Sequence, residues 1–150
     1  MSGVLVAFGH YLAFFALTAA IVVTLTLVSE SMSVDDARRV RRADRVAGLS
    51  ATLLLVFGIL RVLYFEKGSA YYLDNLFFQV KIGLFVLAAL ISVYPTTRFA
   101  AWGRALARGV APTLDAAQAR RLRRALHWEL VLIAAILLCA TLMARGFGNG

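Results

Sequence analysis

Only one cysteine, Cys139, and two prolines, Pro95 and Pro112, occur in these 150 residues, and acids number eight against sixteen lysines and arginines. A lone cysteine excludes a disulfide within the chain and a metal site built on thiolates, so Cys139 is read as a packing residue. No Gly-rich phosphate loop, HExxH, GxSxG or CxxC string is present, which removes the common nucleotide-binding, hydrolytic and thiol-redox classes. Charged residues make up 16% of the chain, below the roughly 25% of an ordinary soluble domain. Apolar residues fill the space instead, at 61%, and mean hydropathy is +0.80.

The apolar residues are gathered into runs at Gly3–Val28, Val46–Phe65, Leu76–Tyr94 and Leu126–Ala144. A spanning helix needs about 20 residues, and each run meets that length. Closed barrels are the other solution in lipid, but these runs are too long and unbroken for barrel strands. The fold expected is an all-α membrane protein, an antiparallel bundle of four transmembrane helices forming a single domain over residues 1–150. The first run has no basic region before it and no small-residue cleavage site after it, so it is expected to stay as a span.

Charge settles the expected orientation. Arg38, Arg39, Arg41, Arg42 and Arg45 lie between the first two runs, and Arg98, Arg104, Arg108, Arg120, Arg121, Arg123 and Arg124 lie between the last two. The opposite side has only Lys67 and Arg145. By the positive-inside rule both Arg-rich loops are cytoplasmic and both termini are outside. The net charge of +8 is therefore a topology signal and not a nucleic-acid surface. Anionic lipid is the natural partner of such loops.

Helices two and four are expected to extend into the cytoplasm. Ser33 is placed to cap a helix start, with Asp35 and Asp36 in the first turn where the dipole favours anions. With no proline or glycine from Val34 to Ala47, one helix can run from Val34 to about Phe65, on the order of 48 Å. Pro112-Thr113 and Asp115 signal a similar start for helix four. Helix three is expected to end at Tyr94, because Pro95 disfavours helical geometry in the residue before it. Ala47, Ser50, Ala51, Leu54, Gly58 and Arg61 share one face of helix two, and Lys81, Ala88 and Ser92 one stripe of helix three. Small residues let helices approach, so both faces are expected to point inward.

The chemistry-bearing residues then form one layer near the outer face. At 1.5 Å per residue, His10 lies about 10 Å deep, Arg61 about 6 Å and Lys81 about 7–8 Å. Arg145 closes helix four at the same side, and Gln79, Tyr71 and Tyr72 are candidates to join. At such depths Arg61 and Lys81 can snorkel to the headgroups. Yet Arg61 shares its stripe with small residues, and Glu66 and Asp74 are the only nearby acids. Inward cations without matching acids suit an anionic ligand. His10 is either an interhelical hydrogen bonder or a metal ligand. His127 is roughly 20 Å or more away across the core, so the pair cannot clamp one haem. His127 and Trp128 are read as interfacial. Glu129 is expected to pair with an arginine of Arg120–Arg124 or of the 38–45 cluster.

The strings Glu66-Lys67-Gly68-Ser69-Ala70-Tyr71-Tyr72, Phe78-Gln79-Val80-Lys81, Ser92-Val93-Tyr94-Pro95-Thr96 and Met143-Ala144-Arg145-Gly146 resemble a bacterial four-helix inner-membrane family defined as a domain of unknown function. A more distant likeness of layout is to the HemJ-type protoporphyrinogen oxidases. It implies haem binding and activity at His10 and Lys81, which match that family's histidine early in helix one and lysine near the start of helix three. Three functions follow as expectations. The first is a redox protein (a membrane oxidoreductase, if an enzyme) holding haem b or another tetrapyrrole. There His10 would be the axial metal ligand, and Arg61, Lys81 and Arg145 would meet the propionates. The second is a non-catalytic accessory subunit of a larger respiratory, photosynthetic or transport complex, or a homo-oligomer. The third is a lipid-binding protein or small transporter.

Overall fold

The computed structural model describes residues 1–65 and 74–148, and among them every regular element is helical. Helix α1 is Ser2–Leu27 and α2 is Val34–Leu60, which passes directly into a π-helical turn, Arg61–Phe65. Helix α3 is Leu76–Ala101, α4 is the short Gly103–Ala107, and α5 is Ala116–Ala144. Four of these stretches are long and apolar enough to cross a membrane.

The helix starts follow local chemistry. Ser33 Oγ accepts from the Asp36 amide at 3.0 Å, one of the orphan donors at the start of α2. Asp115 caps α5 in a reciprocal box with Gln118, so α5 begins at Ala116, three residues beyond the Pro112-Thr113 signal. Asn75 caps α3 through its side chain.

Helix α3 does not stop at Tyr94. It runs through Pro95 to Ala101. A mid-helix proline removes the donor that would serve the carbonyl four residues earlier, at a cost of about 3 kcal/mol in an isolated helix. Here burial outweighs that loss. Pro95 and Phe99 are one turn apart and both fully buried, and Phe99 packs on Trp102 at 4.9 Å between ring centroids. Ending the helix at Tyr94 would leave both rings without a site.

Helices α1 and α2 form one antiparallel hairpin and α3 and α5 a second, joined chiefly along α1 and α5, whereas α2 and α3 scarcely touch. Within the first hairpin a Cβ on Gly9 would come 2.8 Å from the Phe57 ring, so glycine lets that ring nest against the α1 backbone. Both termini therefore lie at one end, the terminal end, and the Arg-rich segments at the other, the basic end. As expected, Ser50 and Leu54 are buried on α2 and Cys139 on α5.

The tightest core sits at the basic end. Val28, Ala37, Val40, Phe99, Trp102, Leu106, Leu122 and Leu126 belong to one buried cluster, while Arg39, Arg42, Arg45, Arg120, Arg121 and Arg124 stay exposed around it. Between Val34 and Arg45, and between Ala116 and Leu126, apolar side chains face in and arginines face out. That is the pattern of a helix with water on its outer side. Toward the terminal end the helices instead expose long apolar surfaces, as lipid-facing helices do.

Some arginines at the basic end serve the backbone. Arg123 Nη1 donates to the carbonyls of Leu25 and Val28 at 3.3 and 3.1 Å, at the end of α1. Arg38 Nη2 donates to Leu106 O at 3.4 Å, at the end of α4. Gly103 leaves room for Arg41, whose Nη2 lies 3.0 Å from where a Cβ would stand. Cations over helix C-termini complement the negative end of the dipole.

Candidate functional site

Two places bring polar side chains against the bundle. At the terminal end, His10 on α1 seats its ring on Gly58 of α2, where a Cβ would meet the imidazole at 3.5 Å. The ring stands edge-on to Tyr11 at 6.3 Å. Arg61 opens the π-helical turn, and its guanidinium lies 5.6 Å over the Tyr11 ring. The spacing of Gly58 and Arg61 on one stripe of α2 thus brings the His10 ring against α2 and Arg61 over the exposed Tyr11 ring. A π-turn shifts the register of the side chains it carries and is frequent at functional sites.

Lys81 and Arg145 belong to the other hairpin. Lys81 is half-buried, with Nζ 4.9 Å over the Phe78 ring of its own helix. Arg145 is exposed at the C-cap of α5. The chain after it turns back through Gly146 and Gly148, both at positive φ. There it is fastened to the start of α3: Asn75 Nδ2 donates to Phe147 O at 3.0 Å, and the Leu76 amide donates to Gly148 O at 3.2 Å. Asn75 itself is fully buried. Gln79 and Asp74 are exposed, and Glu66, Lys67, Tyr71 and Tyr72 lie outside the described residues.

The second place was not among the sequence candidates. A cavity of about 70 Å³ opens between all four long helices in the basic half of the bundle, lined by Thr24, Asp44, Ser92, Pro95, Thr96 and Glu129 among others. A second cavity of about 90 Å³ continues toward the middle, apolar except at Glu129 and Ser92, with Phe14, Leu54, Phe85 and Ile133 in its wall. Glu129 stands at the junction of the two. It is 6% exposed, and its Oε1 has no hydrogen-bond partner. Asp44 accepts a bond from Thr96 Oγ1 at 2.8 Å, a link from α2 to α3 where those helices otherwise scarcely meet.

The expected pairing of Glu129 with an arginine is not made: among the described residues the salt bridge within 4 Å is Arg38–Asp35. Helix geometry explains the outcome. The neighbours of Glu129 three and four residues away are Ala125, Leu126, Leu132 and Ile133, all apolar, and these are the positions that share its face. Those apolar neighbours were the available signal that Glu129 faces inward alone. His127 and Trp128 are exposed, as expected, with His127 Nδ1 2.8 Å from the Arg123 carbonyl.

Neither cavity is lined by His10, Arg61, Lys81 or Arg145. No group of three or more His, Cys, Asp or Glu side chains among the described residues is arranged to hold a metal ion. The arrangement therefore offers a single imidazole with cations at the terminal end, and at the basic half a mostly apolar pocket that holds two carboxyls and three hydroxyls.

Comparison with known proteins identifies a family. The model of the family described as "Predicted membrane protein (DUF2214)" matches residues 2–148. No curated protein and no solved structure matches.

Proposed function

The chain belongs to the DUF2214 family of predicted membrane proteins, and we propose that it binds an anionic ligand of the tetrapyrrole class at the terminal end of the bundle. The observation that carries this reading is the seating of the His10 ring on Gly58 beside an Arg61 held over Tyr11 by a π-helical turn. The donor set fits such a group in kind: one imidazole for a metal, and guanidinium or ammonium groups at Arg61, Lys81 and Arg145 for carboxylates. Ligand cavities for drug-sized molecules hold about 300–1,000 Å³. The interior cavities, at about 70 and 90 Å³, are too small for a macrocycle, so the reading rests on the terminal end alone. A bound haem would supply one-electron chemistry. Of this chain's residues, His10 would hold the metal and Arg61 would meet a propionate.

Titrating the purified protein with haem b checks this. A Soret shift is expected at one equivalent, lost in His10→Ala. In Arg61→Ala the dissociation constant is expected to rise about tenfold, the loss of roughly 1.4 kcal/mol. A wild-type spectrum that stays that of free haem sinks the reading. A colourless protein that instead copurifies in fixed ratio with a larger membrane complex supports the accessory-subunit reading. The lipid-exposed α3 favours that reading, since the most apolar stretch of this helix has no buried residue.

For orientation we propose a bacterial inner membrane with the basic end in the cytoplasm and both termini outside. The exposed arginines of that end support it, and anionic headgroups are their partners. Reporter fusions after Ala116 and after Gly150 are expected to report opposite compartments. The same compartment for both overturns the arrangement.

A further inference from the structure

A buried carboxyl that reaches toward no partner asks for one. Glu129 lines a cavity between the four long helices at 6% exposure, and its Oε1 accepts no hydrogen bond. In a membrane bundle an ionisable side chain facing a cavity marks an ion or proton pathway by default. Oxygen-bearing side chains share this mostly apolar lining. Asp44 faces the same cavity from α2, the Ser92 and Thr96 side chains from α3, and Thr24 from α1. Pro95 lines it too, and proline removes the amide donor that would serve the Ile91 carbonyl. Carboxylate, hydroxyl and carbonyl oxygens are the ligands of hard cations, whereas imidazole and thiolate, which select transition metals, do not line either cavity.

Charge and volume narrow the class further. The Arg41 and Arg45 guanidiniums stand near Asp44 on α2 and offset part of its charge. Glu129 has no such neighbour and leaves about one negative charge to neutralise. Among the described residues, Asp44 and Glu129 are the titratable side chains that line the cavities. A volume of about 70 Å³, against the roughly 10–15 Å³ that one water needs in such a cavity, holds an ion with a few waters. It is well below the roughly 300 Å³ at which cavities for drug-sized organic ligands begin.

We propose that Glu129, with Asp44, Thr96 and Ser92, forms a binding site for a monovalent hard cation of the sodium class, in exchange with a proton on Glu129. The site lies in the basic half of the bundle. It is distinct from the terminal-end site and does not depend on the ligand read there. Its way in is the seam between α2 and α3. Those helices have little other contact, and the Thr96–Asp44 bond at 2.8 Å bridges them.

A hydrophobic carbodiimide reacts only with a protonated carboxyl reachable from the lipid side, so it reports both proton and cation. The full-length protein in liposomes is labelled at fixed pH with dicyclohexylcarbodiimide, and the labelled peptide is mapped by mass spectrometry. Label is expected on Glu129, absent in Glu129→Gln, and suppressed by sodium chloride but not by choline chloride. For one-for-one exchange, the half-protecting sodium concentration falls up to tenfold for each unit rise in pH. In Asp44→Asn and Thr96→Val, which keep Glu129, that concentration rises at least tenfold while labelling without sodium persists. Such labelling also shows that those variants retain the pocket. Absence of label in the wild-type protein, or label indifferent to every alkali cation, overturns the proposal. Equal protection by choline overturns it as well, since it marks an ionic-strength effect.

Discussion

Replacing Phe99 by alanine is expected to cost about 3–5 kcal/mol of stability, the range for emptying a large aromatic site in a packed core. Phe99 is 1% exposed and leans on Trp102, with Leu106, Leu122 and Val40 in the same cluster. The magnitude depends on where this core stands. Between helices in lipid, apolar side chains gain no hydrophobic free energy by burial, because the alternative surroundings are equally apolar. At the basic end the alternative is water, as the outward arginines of α2 and α5 indicate, and the full transfer term applies. The comparison is Leu90→Ala on the same helix, at 66% exposure, where the expected change is within about 0.5 kcal/mol. Unfolding in denaturing detergent, followed by Trp102 fluorescence, measures both. If Phe99→Ala proves no more costly than Leu90→Ala, the core has been misplaced.

Asn75→Ala is the second large effect. One buried side chain performs two tasks: its oxygen accepts from the Phe78 amide to start α3, and its nitrogen donates to Phe147 O to hold the tail. Losing the cap costs about 1 kcal/mol, and losing the bond to Phe147 O about 0.5–1.5 kcal/mol more. The tail is expected to detach, exposing the bond after Arg145 to trypsin. Asn75→Asp separates the tasks, since a carboxylate keeps the cap and loses the donor. It is expected to free the tail while α3 keeps its start. Gly148→Ala should free the tail by another route. Its φ of +90° disfavours a side chain, and a Cβ would come 2.6 Å from Phe77. Trypsin cleavage after Arg145 at the wild-type rate in all three variants would show that the fastening holds nothing.

Much of this architecture was legible in residue order. The four spans, the Ser33 cap, the long second and fourth helices and the inward stripe of α2 follow from hydropathy, capping chemistry and period, all properties of near neighbours. What escaped depends on distant partners. Pro95 read as a stop because its local cost is visible, while the burial of Phe99 that offsets it requires α2 and α5 to be in place. Twelve arginines read as one topology signal, and nothing local distinguishes Arg123, which reaches α1, from Arg124, which does not. Glu129 read as half of an ion pair because arginines are near in sequence. The face it shares with Ala125, Leu126, Leu132 and Ile133 already argued otherwise. The terminal-end candidates were chosen by depth, and the structure gathers His10 and Arg61 because Gly58 and the π-turn lie on one stripe.

The bond from Arg123 to the end of α1 also bears on the order of assembly. The carbonyls of Leu25 and Val28 wait for a donor that follows them by 98 and 95 residues. During synthesis α1 is complete, and threaded if it inserts in order, long before that arginine exists. Until then its last turn must be served by water, which a helix end within the hydrocarbon would not have. The nascent chain therefore has to hold this end of α1 at the aqueous boundary through the making of α2, α3 and α4. The closing of the bundle is the arrival of α5, when a single guanidinium exchanges those waters for itself.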